Sequence, residues 1–453
     1  MEHNESVGVF HGTGSGKTLT SITVAQSFLT KYPGDVIFIG SPSIFENFKK
    51  EIKAYGVPKN MIKRYKLYTF DKFASEIEAN KTICNNNMLI IDEVHNLRNR
   101  STKPKGEDVK EAMRYAAAMN CAMKSKKRVL LSATPFSNDY DDLAAIINLI
   151  HGNRIFAWGR KDRTAVPPLL FKNKDAEKNI KFYLADRIDY MPTPKNSDYP
   201  AVREKFVHVE MTKAFSRRYM KAIEDSDQFG GNPQTFYHGY RRAVNSLGAG
   251  YYSQKLNYVD RIIGTGKTII YTNWLEYGKS PLKDIMEKRK FRYQVIDGSL
   301  SSKKRGEIVT KYNKDELDVL IITKAAAEGI DLKRTVNMII LDPVWNPAQL
   351  KQVMGRAVRY KSHHDLPKEK QLVNIYKIVL NFPGFGDKEQ NNKWGGTHEY
   401  VKNASELVHN FNKGEFSETA DTLLYDICAL KQKKDTNVTN MLSDISISAD
   451  TYV

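Results

Sequence analysis

His11-Gly12-Thr13-Gly14-Ser15-Gly16-Lys17-Thr18 lies between a short apolar run (Val7, Val9, Phe10) and a segment, Leu19 to Leu29, with helical spacing. A strand, a glycine-rich turn and a helix make a phosphate cradle. Glycines let backbone N–H groups converge on phosphate oxygens without Cβ interference, and the helix N-terminus adds partial positive charge. In that reading Gly12, Thr13, Gly14, Ser15 and Gly16 wrap the phosphates. Lys17 reaches the β- and γ-phosphates, and the Thr18 hydroxyl sits on Mg²⁺. The strict pattern has glycine where this chain has His11. The plainer reading is a glycine-rich turn ahead of an amphipathic helix.

Working outward, Asp35-Val-Ile-Phe-Ile-Gly40 is an apolar run of the kind found in buried parallel strands. Ser41-Pro42-Ser43 starts a helix with Phe45, Phe48 and Ile52 on one face, and Arg64 to Thr69 leads into another βα unit. Met88-Leu-Ile-Ile-Asp92-Glu93-Val94-His95 sets two carboxylates at the carboxyl end of a strand, where open α/β sheets bind ligands. Asp92 can hold Mg²⁺ and Glu93 can orient or deprotonate an attacking water. Asp108 to Met123 is read as a helix with a stripe of Val109, Ala112, Met113 and Ala116. Arg128 to Leu131 is a further strand, ending in Ser132-Ala133-Thr134.

Strand and helix alternate through residues 1–150, which predicts one parallel-sheet domain. Over 151–255 the alternation weakens, prolines cluster, and basic and aromatic residues interleave (Phe215, Arg217, Arg218, Tyr219; Tyr237, Tyr240, Arg241, Arg242). This stretch is expected to be a mostly helical insertion. Its Arg–Tyr mixture suits either a nucleic-acid grip or helices packed on a core. A second βα series fills 256–400, and 401–453 is a helical tail. Gly264-Thr-Gly266-Lys267-Thr268 imitates a second phosphate loop, but the β-favouring Ile269-Ile-Tyr-Thr272 follows where a helix should begin.

The net charge of +18 over 453 residues favours polyanionic partners, nucleic acid before anionic membrane. No apolar run approaches the roughly 18 residues of a membrane span. The polar start Met1-Glu2-His3-Asn4-Glu5 is no secretory signal. Cys84, Cys121 and Cys428 are scattered without C-x-x-C pairing and are expected to be separate buried thiols in a reducing, intracellular setting.

Taken in order, these motifs resemble those of the superfamily 2 helicase-type ATPases. Gly14-Ser-Gly16-Lys17-Thr18 resembles motif I, Asp92-Glu-Val-His95 motif II in its DExH form, and Ser132-Ala-Thr134 motif III. Ala327-Glu328-Gly329-Ile330-Asp331-Leu332 resembles motif V, and Gln352-Val-Met-Gly355-Arg356-Ala-Val-Arg359 motif VI. The resemblance covers nearly the whole chain. Ser132-Ala-Thr-Pro-Phe-Ser-Asn138 and the long insertion resemble the Swi/Snf-like branch. Gly355 to His363 with Leu366-Pro367, and Ile188-Asp-Tyr190 with Tyr199-Pro200, resemble the helicases of large cytoplasmic DNA viruses, including poxvirus nucleoside triphosphate phosphohydrolases and early transcription factor ATPases.

The resemblance implies an α/β fold of two RecA-like parallel-sheet lobes, with ATP and Mg²⁺ as cofactors. Lys17, Thr18, Asp92 and Glu93 would form the hydrolytic centre, while Gln352, Arg356 and Arg359 face the γ-phosphate from the second lobe. Arg356 and Arg359, three apart, are expected to share a helix face. His95, Ser132, Thr134 and Glu328 would couple the lobes, and Gly329 and Asp331 would join the nucleotide site through motif V. A segment ahead of motif I often contacts the base in this family through a glutamine. None of the ten residues before His11 is glutamine, so base selection is expected from elsewhere or from residues ahead of this stretch.

The implied activity is a nucleic-acid motor, DNA more than RNA, of viral origin and serving transcription beside an RNA polymerase, with no membrane role. The alternative is a protein of the same fold that holds DNA or a polymerase without turnover.

Overall fold

The computed structural model describes residues 4–12, 14–97, 107–135, 141–156, 176–192, 198–227, 239–248, 250–323, 330–345, 347–383 and 419–448. Three of the anticipated site residues, Thr13, Glu328 and Gly329, lie outside them. The chain divides into two compact units, Met1–Pro194 with Lys433–Val453, and Lys195–Gln432.

The first unit is built on a six-stranded, all-parallel sheet in the order β3-β2-β4-β5-β1-β6. Its strands are β1 (Ser6–His11), β2 (Val36–Ile39), β3 (Tyr65–Tyr68), β4 (Met88–Asp92), β5 (Lys127–Leu131) and β6 (Ile188–Met191). Alternate side chains enter opposite faces, so each central strand feeds two cores. On one face Val7, Val9, Val36, Phe38 and Ile90 pack against helices α1 (Lys17–Lys31) and α2 (Pro42–Ala54). α2 presents Phe48 and Ile52 to that core, as its spacing predicts, and the Phe48 ring stacks 4.1 Å from Phe38.

On the other face Phe10, Ile37, Ile91 and Leu130 meet α4 (Phe70–Ala79), α5 (Glu107–Ala122), α6 (Asp141–His151) and α7 (Ala176–Leu184). A one-turn helix, α3 (Lys59–Ile62), precedes β3. Fully burying an Ile or Leu in such a sheet contributes roughly 1.5–3 kcal/mol.

Two expectations fail in this unit. The buried stripe of α5 is Tyr115, Ala118, Met119 and Ala122, whereas Val109 and Met113 are exposed. The two stripes are each helically spaced, and only the packing partner selects between them. Cys84 and Cys121 are also not separate thiols: they form a disulfide between the turn after α4 and the last turn of α5. The residues are 37 positions apart, and it is the packing of those helices that brings their Cα atoms within 5.2 Å. Cys428 remains a buried thiol, its pKa pushed up to about 11 by burial.

The second unit repeats the plan. Its sheet order is β7-β12-β11-β8-β10-β9, again all parallel. The strands are β7 (Ala201–Glu210), β8 (Thr268–Thr272), β9 (Tyr293–Ile296), β10 (Val319–Thr323), β11 (Asn337–Ile340) and β12 (Leu372–Asn381). One face meets α9 (Gln254–Ile263) and α10 (Ser280–Arg289); the other meets α11 (Ser302–Asn313) and α12 (Pro347–Met354). The second glycine-lysine-threonine stretch runs into β8, as its β-favouring sequence predicts. Lys267 is spent on Asp315 (2.6 Å) and the Tyr312 ring (4.2 Å).

The 151–255 stretch is not only helical. It supplies an edge strand to each sheet, β6 to the first and β7 to the second. Both are shorter on apolar residues than the central strands, and β7 carries Arg203, Glu204 and Lys205 on exposed positions, as edge strands do. Of the aromatic residues singled out there, Tyr237 lies outside the described residues and the other three are core. Phe215 and Tyr219 of α8 (Lys213–Asp227) and Tyr240 are buried with Leu423 and Ile427 of α13 (Ala420–Asp444). Later α13 residues, Val438, Met441 and Leu442, belong to a core of the first unit. Among the described residues no helix is long and apolar enough to cross a membrane.

Candidate functional site

Strand order decides what meets what. β4, β5 and β1 are neighbours in a parallel sheet, so their carboxyl ends emerge side by side. Those ends carry Asp92 and Glu93, then Ser132 and Thr134, then Gly12 and Gly14 to Thr18.

After β1 the chain turns through Gly14 (φ 77) and Gly16 (φ 84), both in the left-handed region that a side chain disfavours. A Cβ added at Gly16 would meet nothing within 4 Å, so the turn faces open space. Gly16 caps α1 with no side-chain hydrogen bond, which leaves the first-turn backbone N–H groups directed outward. The Lys17 ammonium donates to the carbonyls of His11 (2.9 Å) and Gly12 (3.1 Å), across the mouth of the turn. Thr18 follows, half-buried, on the first turn of the helix.

Asp92 ends β4 and is buried. Burial first, and then the neighbouring Glu93 charge, push its pKa up to about 7, while Lys17 pulls it down. Glu93 sits at φ 53, a left-handed conformation that costs a non-glycine residue about 1–2 kcal/mol. Its backbone N–H donates to Asp92 Oδ1 at 2.9 Å, which holds that turn. The Glu93 carboxylate lies 3.2 Å from His95 Nδ1, and the same nitrogen is 3.0 Å from Ser132 Oγ. Ser132 Oγ in turn accepts the Thr134 N–H at 3.0 Å. Thus Glu93, His95, Ser132 and Thr134 form one connected chain from β4 to β5.

These residues fit a magnesium–nucleoside triphosphate. Outward amides and Lys17 suit phosphate oxygens, and a buried carboxylate whose ionisation is suppressed gains most from a divalent cation beside it.

A measurable consequence follows for the metal-free protein. The folded-state pKa of Asp92 lies above the ordinary 3.8, so the fold binds its proton more tightly than the unfolded chain does. Stability contributed by this group is full at low pH and is lost as pH rises through about 7. Asp92→Asn removes the penalty. It is expected to stabilise the metal-free protein by about 2–4 kcal/mol at pH 8 and by little at pH 4. Denaturant melts at the two pH values check this, and an equal gain at both would contradict it.

In the second unit, Gln352 lies half-buried on α12. Arg356 and Arg359 do not share a helix face, because α12 ends at Met354. Tighter bonds from Arg356 N to Val353 O and Ala357 N to Met354 O then wind the chain into a turn, with Ala357 buried. Both arginines are half-buried on that turn. Arg359 donates to Ile330 O (3.3 Å) and lies 3.8 Å from Asp331, so motifs V and VI do meet. The turn is braced by Ser362, whose hydroxyl contacts His363 Nδ1 (2.8 Å), and by His363 Nε2 against Thr335 O (2.9 Å).

Sequence reasoning missed three groups. Asp342 is a buried hub at the end of β11, accepting from Asn245, Thr272 Oγ1 (2.6 Å) and Asn273 N (2.8 Å). Arg241 lies between the Trp274 and Trp345 rings at 5.3 and 5.1 Å. Asp189 pairs with His11 at 2.8 Å. The Arg–Tyr mixture draws notice to Arg241 without its partners, the departure at His11 from the strict glycine pattern hints at Asp189, and no signal points to Asp342.

Comparison with known proteins points to one family. The SNF2-related domain family matches residues 61–160 and the helicase conserved C-terminal domain family matches 254–361. A putative ATP-dependent RNA helicase of Acanthamoeba polyphaga mimivirus is 30% identical, across 84% of this chain and 87% of its own length. Nucleoside triphosphatase I of Heliothis armigera entomopoxvirus is 24% identical, across 99% of this chain and 83% of its own. Among solved structures, the Pyrococcus furiosus Hef helicase domain is similar with a TM-score of 0.48 at 13% identity, covering 87% of this chain and 95% of that one, too loose a likeness to carry an argument. With its phosphate turn, its strand-end acids and these relatives, the chain belongs to the superfamily 2 helicase-type ATPases, in the Swi/Snf-like branch shared with poxvirus and mimivirus enzymes, and is an NTP-hydrolysing nucleic-acid motor.

Proposed function

We propose that the chain is a Mg²⁺-dependent ATPase that translocates on duplex DNA, working beside an RNA polymerase in viral transcription inside the host cell. The observation that carries the hydrolytic part is the unbroken path Glu93–His95–Ser132–Thr134 next to the phosphate turn. A dead scaffold has no chemical need for a strained, half-buried glutamate placed against a histidine.

Bound Mg·ATP supplies the scissile phosphoanhydride bond. The loop amides and Lys17 bind and orient its phosphates, and Thr18 and Asp92 hold the metal. Glu93 orients the attacking water and accepts its proton, and His95 holds the Glu93 carboxylate and ties it to Ser132. Gln352, Arg356 and Arg359 of the second unit are required as well, the arginines for charge that develops on the transferring phosphate. The SNF2-related match favours duplex DNA over single strands and RNA, and the +18 charge suits the phosphate backbone of any of them.

Phosphate release measured against single- and double-stranded DNA and RNA tests the reading. Duplex DNA is expected to stimulate at least about tenfold and to lose its effect steeply between about 50 and 200 mM salt. Stimulation by single-stranded RNA alone would overturn the DNA assignment.

A further inference from the structure

His11 stands where the strict phosphate-loop pattern has glycine, and the structure gives it a task. It is the last residue of β1 and is 4% exposed. Its Nε2 lies 2.8 Å from Asp189 Oδ2, across the β1–β6 pairing. The other Asp189 oxygen accepts the Ser448 hydroxyl.

The segment around Ser448 is itself pinned to β6. Ile447 N–H donates to Ile188 O at 2.9 Å, and Ser446 Oγ accepts the Tyr190 N–H at 2.8 Å. β6 is the sheet edge, so residues 446–448 cover it and reach the acid that holds His11. Asp189 is held below the usual carboxylate range, first by the His11 hydrogen bond. At the other end of the path, the His11 carbonyl receives the Lys17 ammonium.

We infer that Ser446–Ser448, Asp189 and His11 form a latch that holds the start of the phosphate loop ready for nucleotide, with His11 and Asp189 as positioning residues. The inference rests on reading residues 12–18 as a phosphate cradle. A latched loop binds phosphate without first being ordered. Once the phosphates are bound, their own contacts hold the loop in the same geometry. Releasing the latch therefore weakens binding and leaves the chemical step alone. A bond that only stiffened the sheet edge would not make that split. Nor would its effect depend on whether residue 11 is histidine.

The test uses the full chain carrying Asp189→Asn, Ser448→Ala, Ser448→Thr, His11→Gly, or His11→Gly with Asp189→Asn. Three quantities are read: amide hydrogen exchange of residues 8–17 without nucleotide, equilibrium binding of a fluorescent ADP, and steady-state ATP hydrolysis. Asp189→Asn and Ser448→Ala are expected to speed exchange and to weaken ADP about 5–10-fold. KM for ATP should rise in parallel, with kcat within about twofold. Ser448→Thr keeps the hydroxyl and should behave as wild type. In the His11→Gly background, Asp189→Asn should add nothing. Equal effects of Asp189→Asn in both backgrounds, or a fall in kcat with unchanged ADP affinity, would overturn the latch. Failure of the wild type to bind ADP would instead sink the cradle reading, and the exchange data would still decide whether Asp189 acts through His11.

Discussion

Glu93→Gln is expected to lower kcat for ATP hydrolysis by about 10²–10⁴-fold while nucleotide affinity stays the same or tightens. Glutamine matches glutamate in size and can keep the strained turn at φ 53, with Asp92 Oδ1 still accepting its backbone N–H. Its side chain can also stay beside His95. What it cannot do is take a proton from water. The Glu93 charge is one of the two influences raising the Asp92 pKa, so its removal makes Asp92 ionise more readily and improves the metal site. Loss of turnover with retained binding would therefore mark Glu93 as the base. Single-turnover phosphate release and equilibrium binding of ATP provide the measurement. A decrease of less than about fivefold would remove Glu93 from the chemistry. Lys17→Ala should differ, because it deletes a phosphate contact and weakens binding as well.

The second large effect concerns stability. Lys255 on α9 and Asp421 on the first turn of α13 form a fully buried ion pair at 2.7 Å, and Asp421 also accepts the Leu380 N–H at 3.0 Å. Burial raises the Asp421 pKa, and the Lys255 charge opposes the rise. Removing the lysine alone leaves a buried carboxylate beside only a backbone donor, so Lys255→Met is expected to cost about 3–5 kcal/mol. The sign with pH follows from the same shift. With its folded-state pKa raised further, Asp421 takes up a proton as pH falls, so the loss should be large at pH 8 and should shrink toward pH 5. Replacing both residues, Lys255→Met with Asp421→Leu, should recover most of the stability. Urea unfolding followed by tryptophan fluorescence at the two pH values is the check. A loss under about 1 kcal/mol at pH 8 would show that water reaches the pair.

Much of the candidate site was legible because its signals are local. Glycines at φ 77 and 84 must stand two positions apart in sequence to make the turn around Ser15. Asp92 and Glu93 must directly follow an apolar strand to emerge at its end. The same holds for β8, where the residues after Lys267 are β-favouring and rule out a second phosphate loop. Other readings failed where a local pattern had two solutions. α5 has two helically spaced stripes, and packing chose Tyr115 and Met119 over Val109 and Met113. The Arg–Tyr mixture around Tyr219 and Tyr240 fits a ligand surface or a core, and the rings are core, with centroids 5.5 Å apart. The motif VI arginines have the spacing of a helix face, but α12 stops two residues before Arg356.

By itself the sequence determined two series of parallel-sheet βα units, the phosphate turn on the first, and the acids and hydroxyls at its strand ends. All of these are set by period, by glycine and by residues a few positions apart. The tertiary structure alone decided that β5 lies between β4 and β1, that β6 and β7 close the two sheets, and that His11 meets Asp189, Cys84 meets Cys121, and Lys255 meets Asp421. Each of those pairings joins residues 37 to 178 positions apart. Such pairings depend on which strands become neighbours and which helix faces bury, a free energy summed over whole sheets that no short stretch of chain carries.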